Sequence, residues 1–222
     1  MILHPGFFIL HAMLNSECTG IILAGGENKR FAGTEKTFER VGKLAIFEHV
    51  FGIFKEMFDH ILLITNHPEK FMAWDIVMAA DLFDVRSSLT GLHTGLYYTA
   101  TPYAFFTACD TPFIKREMIQ TVLDAVEPDV DIVVPQTSLG YEPLCAVYSQ
   151  RCLKPVQVQL ENRQLQIQRL FKSMRTKKIP ESTLRTIDPD LDSFFNVNTP
   201  EDLEKALRIN EGRKRDEHAS ID

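Results

Sequence analysis

The segment Thr19–Ala24 (TGIILA) runs straight into Gly25-Gly26-Glu27-Asn28-Lys29-Arg30 (GGENKR) and then Phe31–Lys36 (FAGTEK). A short apolar run without alternation, bounded by turn residues, reads as a strand covered on both faces, which is the environment of a parallel sheet. Two glycines at its end let backbone N–H groups approach anionic oxygens with no side chain between. Arg30 and Lys36 on the far side of the turn suit a triphosphate held through charge-assisted hydrogen bonds. A plain loop with solvated basic residues has the same composition, so this stretch alone leaves both readings open. The spacing of Gly25, Gly26 and Gly33 matches neither GxxxxGK[ST] nor GxGxxG, which argues against a P-loop and against a simple dinucleotide fold.

Three further apolar runs follow: His60–Thr65 (HILLIT), Tyr103–Ala108 (YAFFTA) and Val130–Pro135 (VDIVVP). Between them, helical spacing marks Leu44–Phe58, Leu92–Tyr98 and Glu117–Val126. Strand and helix alternate, which predicts an α/β fold with a mainly parallel sheet. In such sheets ligands lie at the carboxyl ends of the strands. The residues there are AGGENKR, NHPEK, CDTP and PQTSLG. Further on, Pro143–Tyr148 reads as a strand, Gln157–Met174 as a helix, and Thr199-Pro200 as the cap and first turn of a last helix. The polar end after Gly212 is expected to fray.

The 222 residues, 45% of them hydrophobic, suffice for one domain, expected over 18–210 between an apolar extension at 1–17 and a polar tail at 211–222. A net charge of -6 gives no electrostatic footprint for nucleic acid. Cys18, Cys109, Cys145 and Cys152 form no CxxC pair, which fits a reducing cytoplasm and argues against a zinc site. The apolar start MILHPGFFILHAML lacks a basic region and a cleavage site, so it is read as an extension rather than a signal peptide. No run approaches the ~20 apolar residues of a membrane span.

Asp110 in ACDTP, directly after a strand, is placed to hold Mg2+ against substrate phosphates; a turn or helix cap is the plainer use of an Asp before Thr-Pro. Asp81 and Asp84 follow the apolar Ile76–Ala80 and precede SSLTGLHTGL. A carboxylate there accepts hydrogen bonds from a base or sugar, or caps a helix. Asn196 and Asn198 in FFNVNTP suit substrate orientation, a metal shell or an ordinary turn.

Taken in order, these pieces resemble the molybdenum cofactor guanylyltransferases, within the nucleotidyltransferases of Rossmann-like fold. LAGGENKRFAGTEK is similar to the family's opening signature, with Phe31-Ala32 where Met-Gly is usual, and Asp81 followed by LTGLHTGL to its acid before a GPLAG helix, with Ser87-Ser88 in place of Gly-Pro. ACDTPF resembles the CDxP metal site, and YEPLCAVYS and FFNVNTPEDL the later segments. The resemblance spans about Thr19 to Leu207. It implies a three-layer Rossmann-like nucleotidyltransferase that moves GMP from GTP to molybdopterin, releasing pyrophosphate, with Mg2+ as cofactor. Further cofactor-biosynthesis or acceptor proteins would be its partners.

Under that resemblance Arg30, Lys36 and Asp110 are catalytic and Asp110 holds the metal. Leu23, Ala24, Gly25, Gly26, Lys36, Asn66, Asp81 and Asp110 contact the nucleotide, and Asn196 and Asn198 the pterin. Lys115, Arg116, Arg163 and Lys172 are candidates for the acceptor phosphate. Related cytidylyltransferases tend to carry Ala-Ala-Gly where this chain has Ala24-Gly25-Gly26, so Gly25 points to a purine. The alternatives are a cytidylyltransferase on the same pterin, transfer to another phosphorylated acceptor such as a sugar phosphate, or a non-catalytic nucleotide- or cofactor-binding module.

Overall fold

Each of the four apolar runs forms a strand of one sheet. The computed structural model describes residues 17–25 and 36–219. Along the chain come β1 (Cys18–Leu23), β2 (Arg40–Val41), β3 (Leu44–Ala45), α1 (Ile46–Met57), β4 (Ile61–Ile64), β5 (Val77–Ala79), α2 (Ser88–Tyr98), β6 (Tyr103–Ala108) and α3 (Arg116–Asp124). Then follow β7 (Ile132–Thr137), β8 (Gly140–Tyr141), β9 (Cys145–Ser149), α4 (Leu153–Glu161), α5 (Leu170–Ser173), β10 (Thr176–Pro180), α6 (Glu181–Ile187) and α7 (Pro200–Ala219).

The sheet order is β10-β7-β9-β6-β1-β4-β5, with β8 paired to β7. β1 is parallel to both β4 and β6, β4 to β5, and β7 to β10, whereas β9 runs antiparallel between β6 and β7. Alternate strand residues feed opposite layers. Ile22, Leu63 and Phe105 pack under α1 and α3, while Ile21, Leu62 and Phe106 pack under α2 and α4. The expected three-layer α/β architecture is therefore present, with strands apolar on both faces because both faces are covered.

Local chemistry sets the element ends. The predicted helix Leu44–Phe58 begins only at Ile46, because Leu44–Ala45 pairs with Arg40–Val41 across Gly42, whose φ of 73° suits glycine. α2 starts earlier than predicted, at Ser88, because the Ser87 hydroxyl accepts from the Thr90 N–H at 3.2 Å. It lies so close to the sheet that a Cβ on Gly95 would stand 2.6 Å from the Phe106 ring. α7 has the predicted cap: Thr199 Oγ1 accepts from Asp202 N at 3.2 Å, and the Asp202 carboxylate accepts from Thr199 N at 3.0 Å.

Two expectations are corrected, and one strand went unread. Gln157–Met174 is not one helix: Arg163 takes a left-handed φ of 55°, and a 3-10 turn at Ile167–Arg169 precedes α5. The break lets Ile167, Leu170 and Phe171 reach the core that Val156 and Leu160 already enter. β10 (TKKIP) carries too little apolar pattern to announce itself and forms a sheet edge. The end of the chain does not fray at Gly212, since α7 runs on to Ala219. Arg213 secures it, pairing with Asp192 at 2.9 Å and lying 4.6 Å over the Phe113 ring. Residues 1–16 of the expected N-terminal extension lie outside the described residues, among which no helix is long and apolar enough to cross a membrane.

Candidate active site

Register builds the site. Leu23 is level with Ala108 and with Ile64, and Ile64 with Ala79, so these four residues form one row across the carboxyl edge of the sheet. Two residues beyond that row stand Gly25, Asp110, Asn66 and Asp81. They open into a cleft of about 910 Å3, within the usual size of a small-molecule site. Leu23, Ala24, Lys36, Asn196 and Asn198 also line it.

One wall is cationic and acidic at once. Lys36 Nζ donates to Asp110 Oδ2 at 2.6 Å and to Asn198 Oδ1 at 2.9 Å, and the Lys36 and Asp110 side chains are 15% and 14% exposed. The backbone explains the meeting of residues so distant in sequence: Val197 N–H donates to the Asp110 carbonyl at 2.9 Å, docking the NVN segment against the end of β6. Asn196 turns its amide to the Phe194 carbonyl at 2.9 Å. The Cys109 thiol is pushed up to about 12 by burial and then by the Asp110 charge, so at neutral pH it stays a thiol and supplies no nucleophile.

The opposite wall is a reciprocal amide–carboxylate pair. Asn66 Nδ2 donates to Asp81 Oδ2 at 2.9 Å, and the Asp81 N–H donates to Asn66 Oδ1 at 3.0 Å. Burial pushes the Asp81 carboxyl above its ordinary value, outweighing the Asn66 hydrogen bond and the Arg86 charge, which pull it down. Asp81 Oδ1 is buried and accepts no hydrogen bond from the described protein atoms, so it remains available to a ligand donor.

Asp110 Oδ1 is likewise buried with no partner among the described residues. With Asn198 Oδ1, which shares the Lys36 ammonium with Asp110, the donor set is oxygen only, which suits a hard cation such as Mg2+. Among the described residues no cluster of three or more His, Cys, Asp or Glu side chains could hold a metal. An ion shared with substrate phosphates needs one carboxylate and no such cluster.

Gly26, Arg30 and Gly33 lie outside the described residues. Asp84 does not line the cleft, and neither do Lys115, Arg116, Arg163 and Lys172. Lys115 is held by Asp188 at 2.7 Å, and Arg116 by Glu56 at 3.4 Å on the surface. Among the described residues, the lysines and arginines that line it beside Lys36 are Lys70 and Arg86, neither of which was singled out from the sequence. Lys70 ends NHPEK, a segment already marked as following a strand; Arg86, just before the α2 cap, carried no such signal.

Residues 20–178 match the family described as the MobA-like NTP transferase domain. The chain is 44% identical over 188 residues to the molybdenum cofactor guanylyltransferase of Desulfosudis oleivorans, covering 85% of this chain and 93% of that protein. It is 29% identical over 195 residues to that of Syntrophotalea carbinolica, covering 87% and 92%. The structure superposes on molybdopterin-guanine dinucleotide biosynthesis protein A from Archaeoglobus fulgidus with a TM-score of 0.77 at 24% identity, over 87% of this chain and 99% of that one, a likeness of fold. The fold, the cleft at the carboxyl edge of its sheet and these matches together place the chain in the MobA-like NTP transferase family, as a nucleotidyltransferase.

Proposed function

We propose that the protein transfers GMP from GTP to molybdopterin, producing the guanine dinucleotide form of the molybdenum cofactor and pyrophosphate. A terminal phosphate oxygen of the pterin forms the new bond to the α-phosphorus of GTP. The bond from that phosphorus to the β-phosphate bridging oxygen breaks, and its electrons leave with pyrophosphate. No protein nucleophile is required, so catalysis rests on positioning and charge stabilisation.

The observation that carries the reading is the Lys36–Asp110–Asn198 cluster, facing the Asn66–Asp81 pair across one cleft. Lys36 neutralises charge on the triphosphate and the leaving pyrophosphate. Asn66 and Asp81 meet the nucleoside, and Asn196 and Asn198 the pterin side. Gly25 leaves room for the base, since a Cβ there would meet nothing among the described residues within 4 Å. Asp110 Oδ1, with Asn198, would hold Mg2+, which supplies Lewis-acid polarisation of the phosphoryl oxygens. The 44% identical relative named a molybdenum cofactor guanylyltransferase supports this substrate pair over the alternatives. The four basic residues considered for the acceptor phosphate on sequence do not line the cleft, whereas Lys70 and Arg86, on the Asn66–Asp81 side, do.

Mass spectrometry of the product formed from GTP, Mg2+ and molybdopterin tests the reading. A guanine dinucleotide of the pterin is expected. GMP attached to a different phosphorylated acceptor, with none on the pterin, would defeat it.

A further inference from the structure

The 3-10 turn Lys36–Phe38 sends three consecutive side chains in three directions, as three residues per turn require. Lys36 reaches Asp110 and Asn198. Buried Thr37 lies with its hydroxyl 3.7 Å from Cys109 Sγ, directly behind Asp110. Phe38 stacks on Trp74, with centroids 5.8 Å apart and planes 6° from parallel, and sits 5.3 Å from the Phe71 ring. Phe71 and Trp74 both meet Phe47 of α1 edge-on at 5.0 Å, which anchors the stack in the main core.

A lysine ammonium on its flexible four-carbon stem is costly to fix, so its backbone has to be held by something else. Here the hold comes from the next two residues. The aromatic stack also joins the Lys36 wall of the cleft to the segment 66–74, which carries Asn66.

We propose that Phe38, packed on Trp74 and Phe71, is a positioning residue that fixes the Lys36 ammonium for phosphoryl transfer; the inference rests on the transferase reading above. Phe38 also lines the cleft, but the role assigned to it is exerted through Lys36. It sets where the positive charge stands when charge develops on the α-phosphate and the leaving pyrophosphate, and preorganised charge is what such sites rely on.

The test is steady-state pyrophosphate release from Mg2+, GTP and molybdopterin by Phe38→Ala, Phe38→Tyr, Lys36→Ala and the double variant Lys36→Ala/Phe38→Ala, each with its melting temperature. Phe38→Ala should lower kcat about 10- to 100-fold, the range of a small misplacement, and change the KM for GTP less than about threefold. Phe38→Tyr keeps the ring and should retain most turnover. Because Phe38 acts through Lys36, the double variant should be no slower than Lys36→Ala alone. Trp74 is the only tryptophan of the chain, so its emission reports loss of the stack directly. Should Phe38→Ala not fold, Trp74→Ala removes the other half of the stack and should show the same kcat loss. Additive losses in the double variant, or wild-type kcat in Phe38→Ala, would overturn the positioning role alone. A wild type that releases no pyrophosphate with any nucleotide would overturn the transferase reading and this role together.

Discussion

At the scale of single residues, Asp110 performs two separable duties: one carboxylate oxygen receives Lys36, and the other is buried without a partner among the described residues. Asp110→Ala should therefore cut turnover by about 10^3-fold or more, the several kcal/mol that metal and charge placement contribute, while the melting temperature changes little. Near-wild-type rates in that variant would refute the metal assignment. Gly25→Ala probes base selection, because the added methyl would meet none of the described protein atoms within 4 Å and Gly25 lines the cleft. The ratio of kcat/KM for GTP to that for CTP should fall about tenfold, the scale of one methyl in a shaped pocket, and an unchanged ratio would show that Gly25 does not select the base. Asp110 and Lys36 were legible in the sequence because each follows a strand-and-turn signature, yet their contact across 74 positions was not. Lys115 misled for a related reason: its partner Asp188 lies 73 positions away, and a paired lysine looks in sequence like a free one.

At the scale of elements, strands whose two faces are both buried were legible as apolar runs, whereas the edge strand β10 was not, being half polar. What fastens that edge is charge. Asp131, just before β7, accepts hydrogen bonds from Arg175, just before β10, and from Arg151, just after β9. Burial raises the Asp131 carboxyl, but the Arg175 and Arg151 hydrogen bonds outweigh it and hold the group at about 2, below its ordinary 3.8. The folded value is the lower one, so the stabilisation is complete above pH ~4 and lost as pH falls towards 2. After allowance for the exposed guanidinium sides it amounts to about 1–2 kcal/mol. Asp131→Asn should lose that much in urea unfolding at pH 7, and its stability should fall less than wild type's between pH 4 and 2.5. Turnover should hold, because Asp131 does not line the cleft. Equal pH dependence in the two proteins would remove the triad from the account.

At the scale of the whole molecule, the architecture follows from a register that no local pattern displays. Rows aligned across β6, β1, β4 and β5 bring Asp110, Gly25, Asn66 and Asp81 to one edge, although 85 positions separate the first and last of them in the chain. The sequence showed that these residues end strands, and their order gave the family; which strands are neighbours, and that β9 runs antiparallel between β6 and β7, emerged only from the pairing. Resemblance to a known family supplied what periodicity could not, namely the nucleotide and the pterin. The central claim is therefore tested most directly by pyrophosphate release with Mg2+ and each of GTP, CTP, ATP and UTP, with and without molybdopterin. The account predicts release that requires both GTP and molybdopterin; release with CTP in preference to GTP, or none with any nucleotide, would contradict it.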